Sequence, residues 1–263
     1  MIAIRLAALL ALGIAAPAAA RDAPWVIATP ALAEIGAAVA GPQARIESRG
    51  DDEDAVTAYC KGLGAQAADA LLITRRLLDR ERKSCEAEAI SADPERVLGI
   101  VGLALEGAPP GVTRRHLWRA LAREVSVDGK LAPNRVRSWR EVDPNLPDRP
   151  IALRLTAPAP LVDALVLTTG CLGAAGYAKL DRKHLCHGLR EDLPAGPDPL
   201  VVRALGSDGD QVEGIAPAGP EISAGRYPLA RRVYLYVKRP HLPGIPGLSG
   251  LLSRDAGGLL TSP

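Results

Sequence analysis

Short apolar runs alternate with helically spaced segments through the first half of the chain. Trp25 to Thr29 (WVIAT) is strand-like, and Pro30 to Ala40 places Leu32, Ile35 and Val39 on one helical face. Arg45 to Glu47 is a second strand candidate. Asp51 to Leu63 follows as a helix, with acids in its first turn and Gly62 and Gly64 at its end. Ala70 to Ile73 (ALLI) reads as a buried strand. Thr74 then stands as the cap of a helix running through Arg75, Leu77, Leu78 and Arg82 towards Cys85. Val97 to Leu105 (VLGIVGLAL) is another apolar strand. Strands alternating with helices predict an α/β fold, with a largely parallel sheet in three layers.

Glu106 to Gly111 (EGAPPG) interrupts the pattern and reads as a connection between two lobes. Thr113 caps the helix TRRHLWRALAREV, with Leu117, Leu121 and Val125 on one side. Leu131 to Pro150 is rich in Pro and Asn, and its SWREVDPNLPDRP reads as a loop or short helix. Ile151 to Leu155 is a strand, Val162 to Thr169 a helix ending at Gly170, and Leu200 to Leu205 a short apolar element. Arg232 to Lys238 alternates Val233, Leu235 and Val237 against tyrosines, the period of a strand.

The first segment carries a different signal. Arg5 precedes an apolar run from Leu6 to Ala16, Pro17 breaks it, and Ala18, Ala19 and Ala20 supply small residues. This is the layout of a secretory signal peptide over 1–20, with cleavage before Arg21 and a periplasmic destination. The run is shorter than the ~20 residues that span a bilayer. No later run is long enough either, so no membrane insertion of the mature chain is expected. The formal net charge is only +2, so no global field selects nucleic acid. Phenylalanine is absent and aromatics make up 3% of the chain, which disfavours base stacking.

Export changes the reading of the four cysteines, Cys60, Cys85, Cys171 and Cys186. An even count in an oxidising compartment reads as two disulfides, and three pairings are open. The local pairing, Cys60–Cys85 and Cys171–Cys186, closes the shortest loops. Each bridge would contribute roughly 2–4 kcal/mol. The rival is a metal site at His184, Cys186 and His187, but no fourth ligand stands at a suitable spacing. No nucleophile-elbow, zincin or Walker-type motif occurs, and His116, His184, His187 and His241 lack catalytic partners by spacing, so no enzyme and no cofactor is expected.

Several segments in order resemble the periplasmic substrate-binding proteins of phosphate ABC transporters. The strongest is EISAGRYPLARRVYLYVKRPHLPGIPGL, Glu221 to Leu248, which is similar to that family's late hinge-crossing segment. AYCKGLGAQAADALLITRRL, TRRHLWRALAREV with SWREVDPNLPDRPI, and LCHGLREDLPAGPDPLVVRAL add to it. The resemblance implies a two-lobed periplasmic-binding-protein-like fold of type II, with mixed sheets flanked by helices. Residues 21–105 form the first lobe, completed by 232–263, and 106–231 the second. It also implies a ligand cleft between the lobes, phosphate or another small oxyanion as ligand, and an ABC transporter permease as partner.

The resemblance places candidate ligand-binding residues in three strand-to-helix turns: Thr29 in the first, Ser48, Arg49 and Gly50 in the second, Thr74 and Arg75 in the third. Free N–H groups and the helix dipole favour an anion at such turns, and an arginine can hold an oxyanion bidentately. Capping is the alternative role for Thr29 and for the Ser48 turn, and pairing with Asp79 that for Arg75. Several positions depart from the family pattern. Asp51, Asp52, Glu53 and Asp54 replace a glycine-rich stretch and put negative charge where an anion would sit. Ala159-Pro160-Leu161-Val162-Asp163 replaces the Ser-Gly-Thr-Arg-Asp helix start of the second lobe. The segment between Leu205 and Glu213 is short. The sequence therefore reads as a binding protein with a degraded phosphate site; the alternative is a structural or interaction module of the periplasm on the same fold.

Overall fold

The computed structural model describes residues 23–63, 67–87, 95–127, 130–172, 188–206 and 208–238. The expected signal peptide, Cys186, His184, His187 and His241 lie outside these residues. Strands β1 (Trp25–Ala28), β2 (Arg45–Ser48) and β3 (Ala70–Ile73) are short, and β1 and β3 are apolar. Helices α1 (Ala33–Ala40) and α2 (Asp52–Tyr59) connect them, with a 3-10 turn at Pro30–Leu32 leading into α1. Next come α3 (Asp79–Ala87), the long β4 (Glu95–Glu106) and α4 (Arg114–Leu121). A hairpin of β5 (Glu124–Val127) and β6 (Lys130–Pro133) precedes α5 (Trp139–Val142) and β7 (Leu153–Leu155). The described chain continues through α6 (Ala159–Val162), a π-helical segment (Asp163–Thr168), α7 (Thr169–Leu172), β8 (Leu200–Ala204), α8 (Gly219–Ser223) and β9 (Ala230–Val237).

Seven strands form one sheet in the order β2-β1-β3-β9-β4-β8-β7. Pairing is parallel for β2-β1, β1-β3 and β8-β7, and antiparallel for β3-β9, β9-β4 and β4-β8. The largely parallel sheet expected from alternation is therefore corrected to a mixed one. The reason is that β9, the last described strand, returns into the middle of the sheet, and β4 runs against it.

β4 serves two neighbours in turn. Glu95 to Gly102 pair with β9, and Leu103 to Glu106 pair with β8. Gly102 stands at the switch. A Cβ there would lie 2.7 Å from Leu205 Cδ2, 2.8 Å from the Leu229 carbonyl oxygen and 3.2 Å from Ala230 Cα, so only glycine lets the strands cross this closely.

The period of two sorts the sheet residues into two cores. Val26, Ala28, Ala70, Leu72, Leu235 and Val237 belong to a large cluster that continues through α4, α6 and β8. Ile27, Leu71, Ile73, Tyr234 and Tyr236 join Ala55, Val56 and Tyr59 of α2 in a smaller one. A disulfide, Cys60–Cys85, ties the end of α2 to α3. Cys171 is buried and also disulfide-bonded; its expected partner Cys186 is outside the described residues.

Three further expectations are corrected. The helix begun at Thr113 ends at Leu121, and Val125 lies in β5 rather than on its apolar face. The helix at 162–169 starts earlier and does not stop at Gly170. That glycine lies inside α7, where a Cβ would come 2.4 Å from Trp118 Cβ and 2.5 Å from the Arg114 carbonyl oxygen, so it admits α4 rather than ending a helix. Thr74 caps no helix, because α3 begins only at Asp79. The intervening turn is pinned by Tyr236, whose hydroxyl accepts from the Leu77 N–H at 3.0 Å and donates to Glu95 at 2.7 Å.

Candidate functional site

Because β1, β2 and β3 are parallel, their carboxyl ends share one edge of the sheet. Ligands of open α/β sheets gather at this edge. It holds Thr29 after β1, Ser48 to Gly50 at the end of β2, and Thr74 with Arg75 after β3.

These residues do not converge equally. Ser48 and Arg49 are exposed, and Arg49, just past β2, pairs with Glu47 of that strand. Gly50 lies against Asp54, since a Cβ would meet Asp54 Oδ2 at 2.6 Å. Asp51 is the N-cap of α2 and accepts from the Asp54 N–H at 2.8 Å. Thr29 is 6% exposed and makes no side-chain capping bond; its hydroxyl is buried with no hydrogen-bond partner.

Thr74 and Arg75 do come together, around carboxylates of the chain itself. Asp52 accepts from the Thr74 N–H at 3.3 Å and from the Thr74 hydroxyl at 3.0 Å, and its Oδ2 lies 3.7 Å from Arg75 Nε. The other edge of the guanidinium is taken by Glu81, with Nη1 and Nη2 each donating at 2.7 Å to a different oxygen. Glu81 also accepts from the Leu78 N–H at 2.8 Å and so fastens the start of α3. The expected partner of Arg75, Asp79, presumed a helix starting at Thr74; with α3 starting at Asp79, the acid in its third position reaches back instead.

The electrostatics follow from these contacts. Burial pushes the Asp52 carboxyl above the usual aspartate value, against the lowering pull of Thr74 and Arg75. Burial also acts to raise Glu81, but its bonds to Arg75 and Leu78 outweigh this and leave it below the usual glutamate value. The Glu81 hydrogen bonds hold Arg75 more firmly protonated still. Sequence reasoning noted the acids after Gly50 as a repulsive field. It missed that Asp52 reaches Thr74, because that pairing depends on how α2 packs across β3.

The opposite wall is apolar. α6 starts after Pro158 without a side-chain cap and packs on the Pro30–Leu32 turn. Leu32, Leu161 and Val162 are all buried in the large core cluster. Asp163, the one family-type residue there, accepts from the Gly188 N–H at 2.8 Å. Among the described residues no group of three or more His, Cys, Asp or Glu side chains is placed to hold a metal ion.

Protein-family models and curated proteins give no match to the sequence. Among solved structures the chain is similar to a possible phosphate binding protein from Planctomyces limnophilus, with 18% identity, 88% of this chain and 86% of that one covered, and a TM-score of 0.59. It is also similar to an ABC-type phosphate transport receptor from Vibrio cholerae, with 15% identity, 88% and 94% covered, and a TM-score of 0.54. At these identities the likeness is one of fold. The architecture is the two-lobed α/β fold of periplasmic binding proteins.

Proposed function

We propose that this chain is an exported binding protein whose phosphate site is degraded, so that phosphate binds weakly or not at all. The observation that carries this reading is the contact of α6 with the Pro30–Leu32 turn, where Leu161 and Val162 stand in a core shared with Leu32. An oxyanion held between lobes needs donors from both. An apolar wall offers none, and a buried anion without partners is very costly. Residual binding then falls to the first lobe, at Thr29, Thr74 and Arg75, where solvent weakens each contact.

Lobe 1 is read as residues 21–105 with the strand near Val233 to Val237, and lobe 2 as the chain between the crossings at Glu106–Gly111 and Tyr227–Arg232. The pairing of β9 with both β3 and β4 supports this division. The neighbours named above are binding and transport proteins, which supports a non-enzymatic role in the periplasm. No helix among the described residues is long and apolar enough to cross a membrane. The shared core also favours the second reading, a structural or interaction module of the periplasm. If the lobes already close on each other, a ligand has no differential contact with which to switch them for a transporter permease.

Isothermal titration of phosphate into the mature protein tests the proposal. The expected dissociation constant is well above the micromolar range, and Arg75→Ala abolishes what remains. Submicromolar affinity that survives Arg75→Ala would overturn it.

A further inference from the structure

The donors around Asp52 are those an oxyanion would use, and they come from a turn that is not part of the helix Asp52 starts. A backbone N–H and a hydroxyl of Thr74 both point at one carboxylate, at 3.3 and 3.0 Å, with the Arg75 guanidinium beside it. Asp52 is not required as a cap, since Asp51 already fills that role for α2. Nor does Asp52 sit in the third position of α2, from which an acid reaches back to the cap. Its partners are 22 residues away.

A second observation points the same way. Thr29 keeps a buried hydroxyl without a partner, which is uncommon because such a group loses its water and gains nothing. Ala28 pairs with Leu72, so Thr29 is level with Ile73, next to Thr74. Thr29 is two residues beyond Ile27 in extended backbone, and Ile27 faces α2 in the smaller core. The unpartnered hydroxyl is therefore on the face of the sheet where α2 begins with Asp52.

Resting on the reading above, we propose that Asp52 is an intramolecular ligand: the Thr74–Arg75 turn is a site for a small oxyanion, of the size of formate or phosphate, that the chain fills with its own carboxylate. The tether explains why an external anion is excluded. It gives Asp52 a high effective concentration at the turn, and its charge repels any competitor. Asp52 would thus exclude anions even if the apolar wall of the second lobe moved away.

The test is removal of the tethered ligand. Asp52→Ala leaves the Asp51 cap in place and bares the two Thr74 donors and Arg75 Nε, while Glu81 keeps the other edge of the guanidinium. Asp52→Asn removes the charge but keeps a group of the same shape in the site. Inorganic phosphate and sodium formate are titrated against wild type and both variants at constant ionic strength, with sodium chloride as the control anion, and thermal unfolding is followed in parallel. The expected result is saturable binding of phosphate or formate to Asp52→Ala at least about tenfold tighter than to wild type, as befits a recovered charge-assisted contact. Asp52→Asn should gain less, and Arg75→Gln added to Asp52→Ala should cancel the gain. If Asp52→Ala is unfolded in anion-free buffer, refolding on addition of formate or phosphate supports the proposal, and remaining unfolded overturns it. A folded Asp52→Ala no more responsive than wild type also overturns it. Tight phosphate binding by the wild type that survives Arg75→Ala would strike the reading of the cleft alone, whereas tight wild-type binding lost in Arg75→Ala would overturn the proposal, so the two failures are distinct.

Discussion

Replacing Thr29 by valine should stabilise the protein. Thr29 is 6% exposed, its hydroxyl has no hydrogen-bond partner, and it supplies no cap to the turn that follows. Valine has nearly the same shape and preserves the branch at Cβ, so neither rotamer freedom nor packing volume changes much. What changes is the hydroxyl. A buried polar group left unsatisfied costs about 1–3 kcal/mol. Taking the lower part of that range, the gain should be about 1–2 kcal/mol, or about 2–8 °C in Tm for a chain of this size. The measurement is urea and thermal unfolding of the mature wild type and Thr29→Val, each with and without phosphate. A fall in the urea midpoint would refute the reasoning, because it would mean that the hydroxyl has a partner in solution. Any weak phosphate-dependent gain in stability should be smaller in the variant than in the wild type, since Thr29 is among the residues proposed for residual binding.

Two other changes probe the frame around the site. Gly102→Ala should destabilise the fold by about 2–4 kcal/mol, seen as a lower urea midpoint, because two of the three atoms in its way are backbone. Peptide mapping without reduction should recover Cys60 linked to Cys85, and Cys171 linked to Cys186; a bridge between the halves of the chain would contradict the local pairing.

The fold was legible where local pattern and packing agree. The strands at Trp25, Arg45, Ala70, Val97 and Arg232 all occur, the element of open type at Leu200 is a strand, and Thr113 caps α4 with His116 answering from the third position. The failures share a cause, which is that a distant contact overrules a local cue. Gly170 looks like a helix stop but makes room for α4. Thr74 looks like a cap but donates to Asp52. The β5–β6 hairpin was hidden in what looked like the end of a helix, although Asp128-Gly129 between Val127 and Lys130 is a strong turn signal. In the candidate site the residue types were visible as Thr29, Thr74 and Arg75. The occupancy of Thr74 and Arg75 by Asp52 and Glu81 was not, because it depends on the register between α2, β3 and α3.

β9 is the last strand of the described chain, yet it lies between β3 and β4 in the middle of the sheet. Until Ala230 to Val237 emerge, β3 lacks its antiparallel neighbour and β4 lacks the partner of its first eight residues, Glu95 to Gly102. The nascent chain therefore has no way to finish its central layer early, and pairing over such sequence distances is slow. Under the export proposed above, this connectivity would act as a built-in delay that keeps the chain open until its last described strand is available. It also makes β9 a checkpoint, since a chain truncated before Ala230 would present two open inner edges to proteases and to its own copies.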